Sequence, residues 1–133
     1  MAHPSHYDWM LARGTHTPTI HMKALEAVDE ATGEIIGMAA VDNLTLNGCE
    51  VHFASDNRYA LRPLADALFK WVFQQMKKEW IFALTPATSK RKIMRWSSKL
   101  GFKELGRVPD GFKKGDDLVL HALHRDDLNW RIR

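Results

Sequence analysis

Cysteine is almost absent from this chain of 133 residues. Cys49 is the single cysteine, so no disulfide can form within the chain, and a reducing compartment is expected. No apolar run approaches the roughly 18 residues of a membrane-spanning helix, and the N-terminus lacks the charged-then-apolar pattern of a signal peptide. Internal repeats and low-complexity tracts are also missing. These absences predict a soluble, cytoplasmic protein.

A strong excess of charge of one sign is missing too. Nineteen Lys and Arg against 16 Asp and Glu give a net charge of +3. This mild excess fits an anionic ligand such as a nucleotide but is far from a nucleic-acid-binding signature. No spacing of His, Cys or Asp suggests a metal site: His121 and His124 lie three apart in a predicted strand and therefore face opposite sides.

What the chain does contain is ample material for one core. Apolar residues make up 45% of the sequence, including five Trp and six Phe. Residues 1–16 show no helical or strand period and are predicted to form an N-terminal extension. Residues 17–133 are predicted to form a single domain.

The first part of that domain has the alternation of a β-meander. Ile20, Met22 and Ala24 alternate with polar residues, Gly33 provides a turn, and Asn47-Gly48 provides a second turn. The pattern predicts three antiparallel strands, over residues 17–28, 35–46 and 49–55.

The second part alternates helices with strands. Apolar residues at 64, 68, 71, 72 and 76 predict a helix over residues 62–79 with Pro63 in its first turn. A short strand, "WIFALT", leads to a helix that Thr85 or Thr88 caps and that ends at Leu100. Gly101 supplies the left-handed residue behind it, and Phe102 folds back onto the helix. Two strands, "KELGRV" and "DLVLHALH", close the domain around a predicted loop, "PDGFKKGD".

The resulting order is β-β-β-α-β-α-β-β. A strand, helix, strand unit requires a parallel strand pair, whereas the meander is antiparallel. The order therefore predicts an α/β (α+β) domain with a mixed, mostly antiparallel sheet and helices on its faces.

The segment from "IFALT" through "SSKLGF" to "KELGRV" and "DLVLHAL" resembles the C-terminal half of the GNAT (N-acetyltransferase) superfamily. There the last helix ends in a Leu-Gly-Phe turn. The meander and "NRYALRPLADAL" are similar to the part of that fold that binds acetyl-CoA. The resemblance covers roughly residues 17–126 and implies a GNAT-like fold with an abbreviated N-terminal part. It also implies acetyl transfer from acetyl-CoA to an amine acceptor, either a small molecule or a peptide.

The resemblance also suggests which residues bind acetyl-CoA. In the family, two strands separate to hold the pantetheine arm, and a glycine-containing loop before the helix holds the pyrophosphate. Here Pro63 and Ala65 fall on the two glycine positions, and Pro63 removes one N–H that would face phosphate. Arg58 and Arg62 compensate with charge-assisted contacts, unless they are only solvated. The implied cofactor-binding residues are Phe53, Ala54, Ser55, Arg58, Arg62, Pro63, Leu64, Ala65 and Lys90.

The catalytic residues match the family less well. A Tyr often protonates the departing sulfur, but Ser97 occupies that position, and Lys90 replaces a frequent Asn. A serine hydroxyl is a poor general acid. Candidates for the general base are Glu50, His52 and Asp56, of which Glu50 and His52 share one side of a strand. The alternative for each is a polar residue on a strand edge; Cys49 has no evident base partner that would make it a nucleophile.

Two other functions stay open at this point. The departures at Pro63, Lys90 and Ser97 also fit a GNAT-like module that binds CoA or a protein but has lost its chemistry. A basic stripe of Arg91, Arg95 and Lys99 would suit nucleic acid, but no reading motif accompanies it. The short N-terminal part leaves the acceptor side open, or leaves it to a second copy in a homodimer.

Overall fold

The computed structural model describes residues 1–13, 17–89 and 91–129. The side chains of Arg58 and of residues 91–94 are not part of that description. The predicted contributions of Lys90, of the Arg58 side chain and of the Arg91 side chain therefore lie outside the described residues.

Six strands form one sheet in the order β1-β2-β3-β4-β6-β5. Only β3 and β4 are parallel, and every other neighbouring pair is antiparallel. This confirms the predicted mixed, mostly antiparallel sheet. The strands are β1 (Lys23–Val28), β2 (Ile35–Asp42), β3 (Gly48–Ser55), β4 (Trp80–Pro86), β5 (Lys103–Lys113) and β6 (Asp116–His124).

Three α-helices accompany the sheet within the described residues. Helix α1 is a short N-terminal helix, preceded by a 3-10 turn. Helix α2 connects β3 to β4 and continues as a π-helical segment, and α3 connects β4 to β5. Their bounds are α1 (Tyr7–Leu11), α2 (Arg58–Phe69) with the π-segment Lys70–Gln75, and α3 (Arg91–Leu100).

The two faces of the sheet are covered by different parts of the chain. We call the face that carries Val51 and Ile81 the back face, and α2 packs there through Leu68 and Phe69, all within one buried cluster. We call the opposite face, which carries Ala54, the front face. The N-terminal segment covers β1–β3 on this front face; its buried members, with those of the strands beneath, are Ala2, Met10, Met22, Ala24, Met38, Ala40 and Ala54.

Helix α3 ends as the sequence predicts. The Phe102 N–H donates to the Ser97 carbonyl and the Gly101 N–H donates to the Ser98 carbonyl, which is the Schellman pattern. Gly101 has φ +113°, and a Cβ there would lie 2.2 Å from the Asp127 carbonyl oxygen. Phe102 is buried in the back-face cluster. The Leu-Gly-Phe turn therefore both ends the helix and anchors it on the sheet.

The prediction was wrong about where the first strand begins and where the second strand ends. β1 begins at Lys23, and Ile20 is 94% exposed in the preceding loop. That loop is held instead by buried Asp42, which accepts hydrogen bonds from the backbone and hydroxyl of Thr19. β2 ends at Asp42, because Asn43 adopts φ +48° and turns the chain.

The prediction for α2 was also wrong at both ends. The helix begins at Arg58, because the Asn57 side chain accepts a hydrogen bond from the Tyr59 N–H and caps it there. Pro63 consequently lies inside the helix and not in its first turn. The helical segment finishes at Gln75, before Lys77 takes φ +56°.

The predicted loop over residues 109–116 is mostly strand. β5 continues to Lys113 and turns back through Gly115, which has φ +86°. Neither threonine proposed as the cap of α3 has that role. Thr85 lies in β4, and the Thr88 hydroxyl donates a hydrogen bond to buried Asp116.

Candidate active site

The β3–β4 pair separates along its length. Gly48, Cys49 and Glu50 pair with Trp80, Ile81 and Phe82, and the pairing stops there. Both strands nevertheless continue, to Ser55 and to Pro86. A slot therefore opens between residues 51–55 and 83–86, with backbone N–H and C=O groups along its walls.

Glu50 and His52 stand at the closed end of this slot. Glu50 is the last paired residue of β3, and His52 lies two positions further on the same side. The His52 Nε2 lies 2.6 Å from the Glu50 Oε1, and both side chains are about nine-tenths buried. The Asn43 amide nitrogen also donates to the Glu50 Oε1 at 3.4 Å. The structure thus brings these two candidates for the general base together as a buried imidazole–carboxylate pair.

Asp56 is placed differently. It follows β3 directly, is exposed, and accepts a hydrogen bond from the Arg13 Nε at 2.8 Å. This contact lowers the pKa of the Asp56 carboxyl. A carboxylate with a lowered pKa holds a proton less readily, so the contact with Arg13 makes Asp56 a poorer general base.

Helix α3 covers the slot on the back face. Trp96 meets Phe53 of β3 edge-on, with ring centroids 5.7 Å apart. Ser97 is half-buried beside Trp96, and its carbonyl takes part in the helix cap. The predicted position of the missing general acid therefore lies on the helix that closes the slot.

The residues aligned with the phosphate loop are helical. Arg58 to Ala65 all belong to α2, and only Asp56 and Asn57 connect the helix to β3. Leu64 and Ala65 are buried in the core, whereas Arg62 and Pro63 are exposed. No acidic side chain lies in the first turn of α2. An anion near this helix end would therefore meet backbone N–H groups and the Arg62 side chain, and not the side chains of Leu64 and Ala65.

Backbone at the open end of β3 completes the predicted cofactor set. Ser55 is half-buried, and its hydroxyl donates to the Asn57 carbonyl, which fixes the turn into α2. The Ala54 side chain faces the N-terminal segment. The Asp56 N–H donates to the Ile36 carbonyl of β2, and by the alternation of an antiparallel pair the Ala54 backbone also faces Met38 of β2 and not the slot.

Sequence reasoning missed the role of the N-terminal segment. Arg13 stacks on Trp9, 3.9 Å from the ring centroid, while it binds Asp56. His6 lies 2.8 Å from Glu26 of β1. A pocket of about 540 Å³ lies beside the end of β3; the lining residues are His6, Trp9, Arg13, Gly33, Glu34, Ile35 and Asp56. Contacts between residues 43 positions apart, such as Arg13 and Asp56, leave no periodic signal in the sequence.

Metal-binding clusters and membrane-spanning helices are both absent from the described residues. Among residues 1–13, 17–89 and 91–129, no group of three or more His, Cys, Asp or Glu side chains is arranged to hold a metal ion. No helix in the described part of the chain has the length and apolar character needed to cross a membrane.

Sequence comparisons find no relative: no family model matches, and no curated protein does. Solved structures do match. Spermidine/spermine N-acetyltransferase SpeG from Vibrio cholerae superposes with a TM-score of 0.70 at 12% identity, over 90% of this chain and 71% of that one.

Two other acetyltransferases give similar values. The ribosomal-protein-S5-alanine acetyltransferase from Vibrio fischeri has a TM-score of 0.66 at 18% identity, over 80% of this chain and 63% of that one. An aminoglycoside 6′-N-acetyltransferase complexed with coenzyme A has a TM-score of 0.65 at 16% identity, over 80% of this chain and 74% of that one. This chain thus spans between 63% and 74% of the length of these three neighbours. It has the GNAT acetyltransferase fold, as the sequence resemblance predicted.

Proposed function

We propose that this protein is an acyl-CoA-dependent N-acyltransferase that moves an acetyl group from acetyl-CoA to an amine. The observation that carries the proposal is the slot between β3 and β4, where two extended strands lie side by side without pairing. Unpaired backbone at the centre of a sheet is costly unless water or a ligand satisfies it. A pantetheine arm, which is extended and carries two amides, suits such a slot.

The nucleotide end of the cosubstrate would lie at the N-terminus of α2. The slot opens towards Ser55, and α2 begins three residues later at Arg58. Helix N-termini favour phosphate through free N–H groups and the helix dipole. The exposed Arg62 side chain adds a positive charge one turn along. Because Pro63 is in the second turn, the N–H that it lacks is not one of the first-turn groups that would face phosphate.

The reaction itself is a direct transfer. An uncharged amine attacks the thioester carbon, the C–N bond forms, and the electron pair of the C–S bond leaves with sulfur as the CoA thiolate. The amine proton passes to the His52–Glu50 pair, directly or through water, and then to solvent. The backbone N–H groups of Phe53 and Ser55, which alternate with those directed to β2, would stabilise the negative charge on the carbonyl oxygen.

Ser97 leaves the departing sulfur without a strong acid. A serine hydroxyl can donate a hydrogen bond but does not release its proton near neutral pH. The CoA thiolate is a moderate leaving group, so positioning and hydrogen bonding can carry this step. We therefore expect slower turnover than in an enzyme with a Tyr at this position, and no requirement for the Ser97 hydroxyl as an acid.

Calorimetric titration of acetyl-CoA into the purified protein tests the proposal, with desulfo-CoA and ATP as controls. The expected result is micromolar binding that requires the pantetheine arm, together with thiol release when an amine acceptor is added. Spermidine and an aminoglycoside are suitable first acceptors, because the structural neighbours include acetyltransferases named for them. Binding without thiol release for any amine would indicate a CoA-binding module, and no binding at millimolar acetyl-CoA would overturn the proposal.

A further inference from the structure

Two polar side-chain atoms on the back face are enclosed without a partner. The Thr85 Oγ1 and the His121 Nε2 are fully buried and have no hydrogen-bond partner among the described residues. His121 as a whole is 92% buried, since its relative exposure is 8%. Buried polar atoms in folded proteins nearly always have a partner, and leaving one unpaired destabilises the fold. These two atoms therefore point to a group beyond the described residues that would pair with them.

The strand register places the two side chains together. Ala83 pairs with His121 and Thr85 pairs with Val119 across the antiparallel β4–β6 pair. Side chains at alternate positions share a face, so Thr85 and His121 are diagonal neighbours on the back face, with Cα atoms about 7–8 Å apart. One small ligand group can contact both.

The pair also lies beside the slot. Pairing between β3 and β4 ends at Phe82, so Thr85 is three residues into the open part of β4. Ile81 is fully buried, whereas Ala83 is only half-buried although β4 is a central strand. Part of Ala83 is therefore open to solvent, two residues from Thr85. A ligand in the slot can reach the same place.

The chemistry of the two groups limits what they can bind. Burial lowers the pKa of His121, which favours its uncharged imidazole. Glu104 lies opposite it on β5 but is already paired with Arg107 through two hydrogen bonds. A hydroxyl and a neutral imidazole complement an uncharged polar group such as an amide or a thioester carbonyl. Neither a phosphate nor an ammonium group would find its counter-charge here.

We infer that the Thr85 hydroxyl and the His121 imidazole form a subsite for the uncharged amide and thioester arm of the acyl-CoA cosubstrate. Each group donates a hydrogen bond to a carbonyl oxygen of that arm and thereby gains the partner that it lacks among the described residues. The inference rests on the proposed function and adds to it a pair of binding residues on β4 and β6. Their role is to position the arm, with no proton transfer assigned to either.

The test compares two ligands on four variants by calorimetry. Acetyl-CoA carries the arm, and adenosine 3′,5′-bisphosphate carries only the nucleotide end and is measured by competition at millimolar concentration. Thr85→Val and His121→Phe remove the hydrogen-bonding atoms; we expect each to weaken acetyl-CoA binding about three- to tenfold. Adenosine 3′,5′-bisphosphate binding stays unchanged. Thr85→Ser and His121→Gln keep a donor and retain most of the affinity.

Thermal stability separates a binding role from a structural one. Both apolar variants remove an unpaired buried polar atom, so their melting temperatures should stay level or rise. Weaker acetyl-CoA binding at unchanged stability supports the inference. Unchanged binding in Thr85→Val and His121→Phe overturns it, because the two atoms would then hold only a buried water.

The two proposals fail in different ways. If the unmodified protein binds no acetyl-CoA, the proposed function fails and this inference falls with it. If the unmodified protein binds acetyl-CoA and the apolar variants bind it equally well, only this inference fails. Thr85→Val exchanges a hydroxyl for a methyl group and so carries the test even if the larger change at His121 impairs folding.

Discussion

Strand β3 meets its two neighbours in different ways. Towards β2 it is paired from Glu50 to Ser55, and towards β4 it is paired only from Gly48 to Glu50. Over residues 51–55 the strand is therefore paired on one edge and open on the other.

The difference shows how a cleft can exist inside a sheet. β3 stays extended through the open part because β2 holds its other edge, and β4 stays extended because β6 pairs with it as far as Pro86. The unpaired edges face each other, which leaves a slot with rigid walls. A binding site on strands is held more firmly than one on loops. Four predictions test this contrast between the paired edge and the open edge.

The largest effect on catalysis is expected from substitutions in the Glu50–His52 pair at the closed end of the slot. His52→Gln and Glu50→Gln should each lower kcat/KM about 10²- to 10⁴-fold, because proton removal from the amine is lost. The Kd for acetyl-CoA should stay the same. Steady-state kinetics and calorimetry on the same preparations measure both quantities.

Glu30→Gln is the matched control, because Glu30 is exposed in the turn between β1 and β2. Its kcat/KM should equal that of the unmodified protein. A loss of less than about threefold in both His52→Gln and Glu50→Gln would remove the pair from the mechanism.

The next largest effect concerns the end of α3, the helix that covers the slot between β3 and β4. Gly101→Ala should lower the free energy of unfolding by about 1–3 kcal/mol, since a non-glycine residue is strained at this positive φ. The added Cβ would also approach the Asp127 carbonyl oxygen to 2.2 Å. Urea denaturation measures the change. Gly106→Ala is the control, because a Cβ there meets nothing within 4 Å; an equal loss in both variants would contradict the explanation.

One substitution in each neighbour of β3 compares its paired edge with its open edge. Gly37 of β2 pairs with Ser55, and a Cβ on it would lie 2.8 Å from the Leu64 Cδ1 and 3.3 Å from the Ala60 Cβ. Gly37→Val should destabilise the protein by about 1–3 kcal/mol through overpacking. Ala83→Val, on the open side, should change stability by less than about 0.5 kcal/mol.

Ligand binding should show the reverse order. Ala83→Val adds bulk on the back face beside the slot and should weaken acetyl-CoA binding, whereas the folded fraction of Gly37→Val should bind normally. Thermal unfolding measures the stability of both variants, and calorimetry measures their affinity for acetyl-CoA. Equal stability losses at the two positions would mean that the slot is packed and not open.

The smallest effect concerns Cys49, which pairs with Ile81 in the closed part of the β3–β4 pair. Burial raises the pKa of its thiol from 9.0 to about 12. The unfolded chain therefore loses this proton first, and stability should fall as the pH rises from about 9 towards 12. Iodoacetamide should react with Cys49 in urea but hardly at all in the native protein at pH 8. Rapid native alkylation would show that the closed part of the pair opens.

Local chemistry explains which parts of the fold the sequence predicts. The order of the strands, α2 and α3 follows from periodicity, and Gly101 fixes the end of α3 because its φ suits few other residues. The contact between Glu50 and His52 follows from alternation along one strand. Each of these depends on residues close together in the chain.

The errors have the opposite origin. Ile20 has the right spacing for a strand, but distant Asp42 holds that segment as a loop through Thr19. Pro63 looks like a helix start, but Asn57 caps the helix one turn earlier. The spacing of residues in the sequence does not show which polar side chain will form the hydrogen bond that fixes a segment in the folded protein.

The sequence by itself determined the mixed sheet, the cap of α3, the resemblance to acetyltransferases and the shared side of Glu50 and His52. Only the tertiary structure decided where β3 and β4 part, that Arg13 binds Asp56, and that the Thr85 Oγ1 and the His121 Nε2 have no hydrogen-bond partner within the described part of the chain. The physical reason is the range of the interactions. Periodicity and turn preferences act over a few residues, whereas pairing across strands joins residues tens of positions apart and leaves no regular trace in the chain.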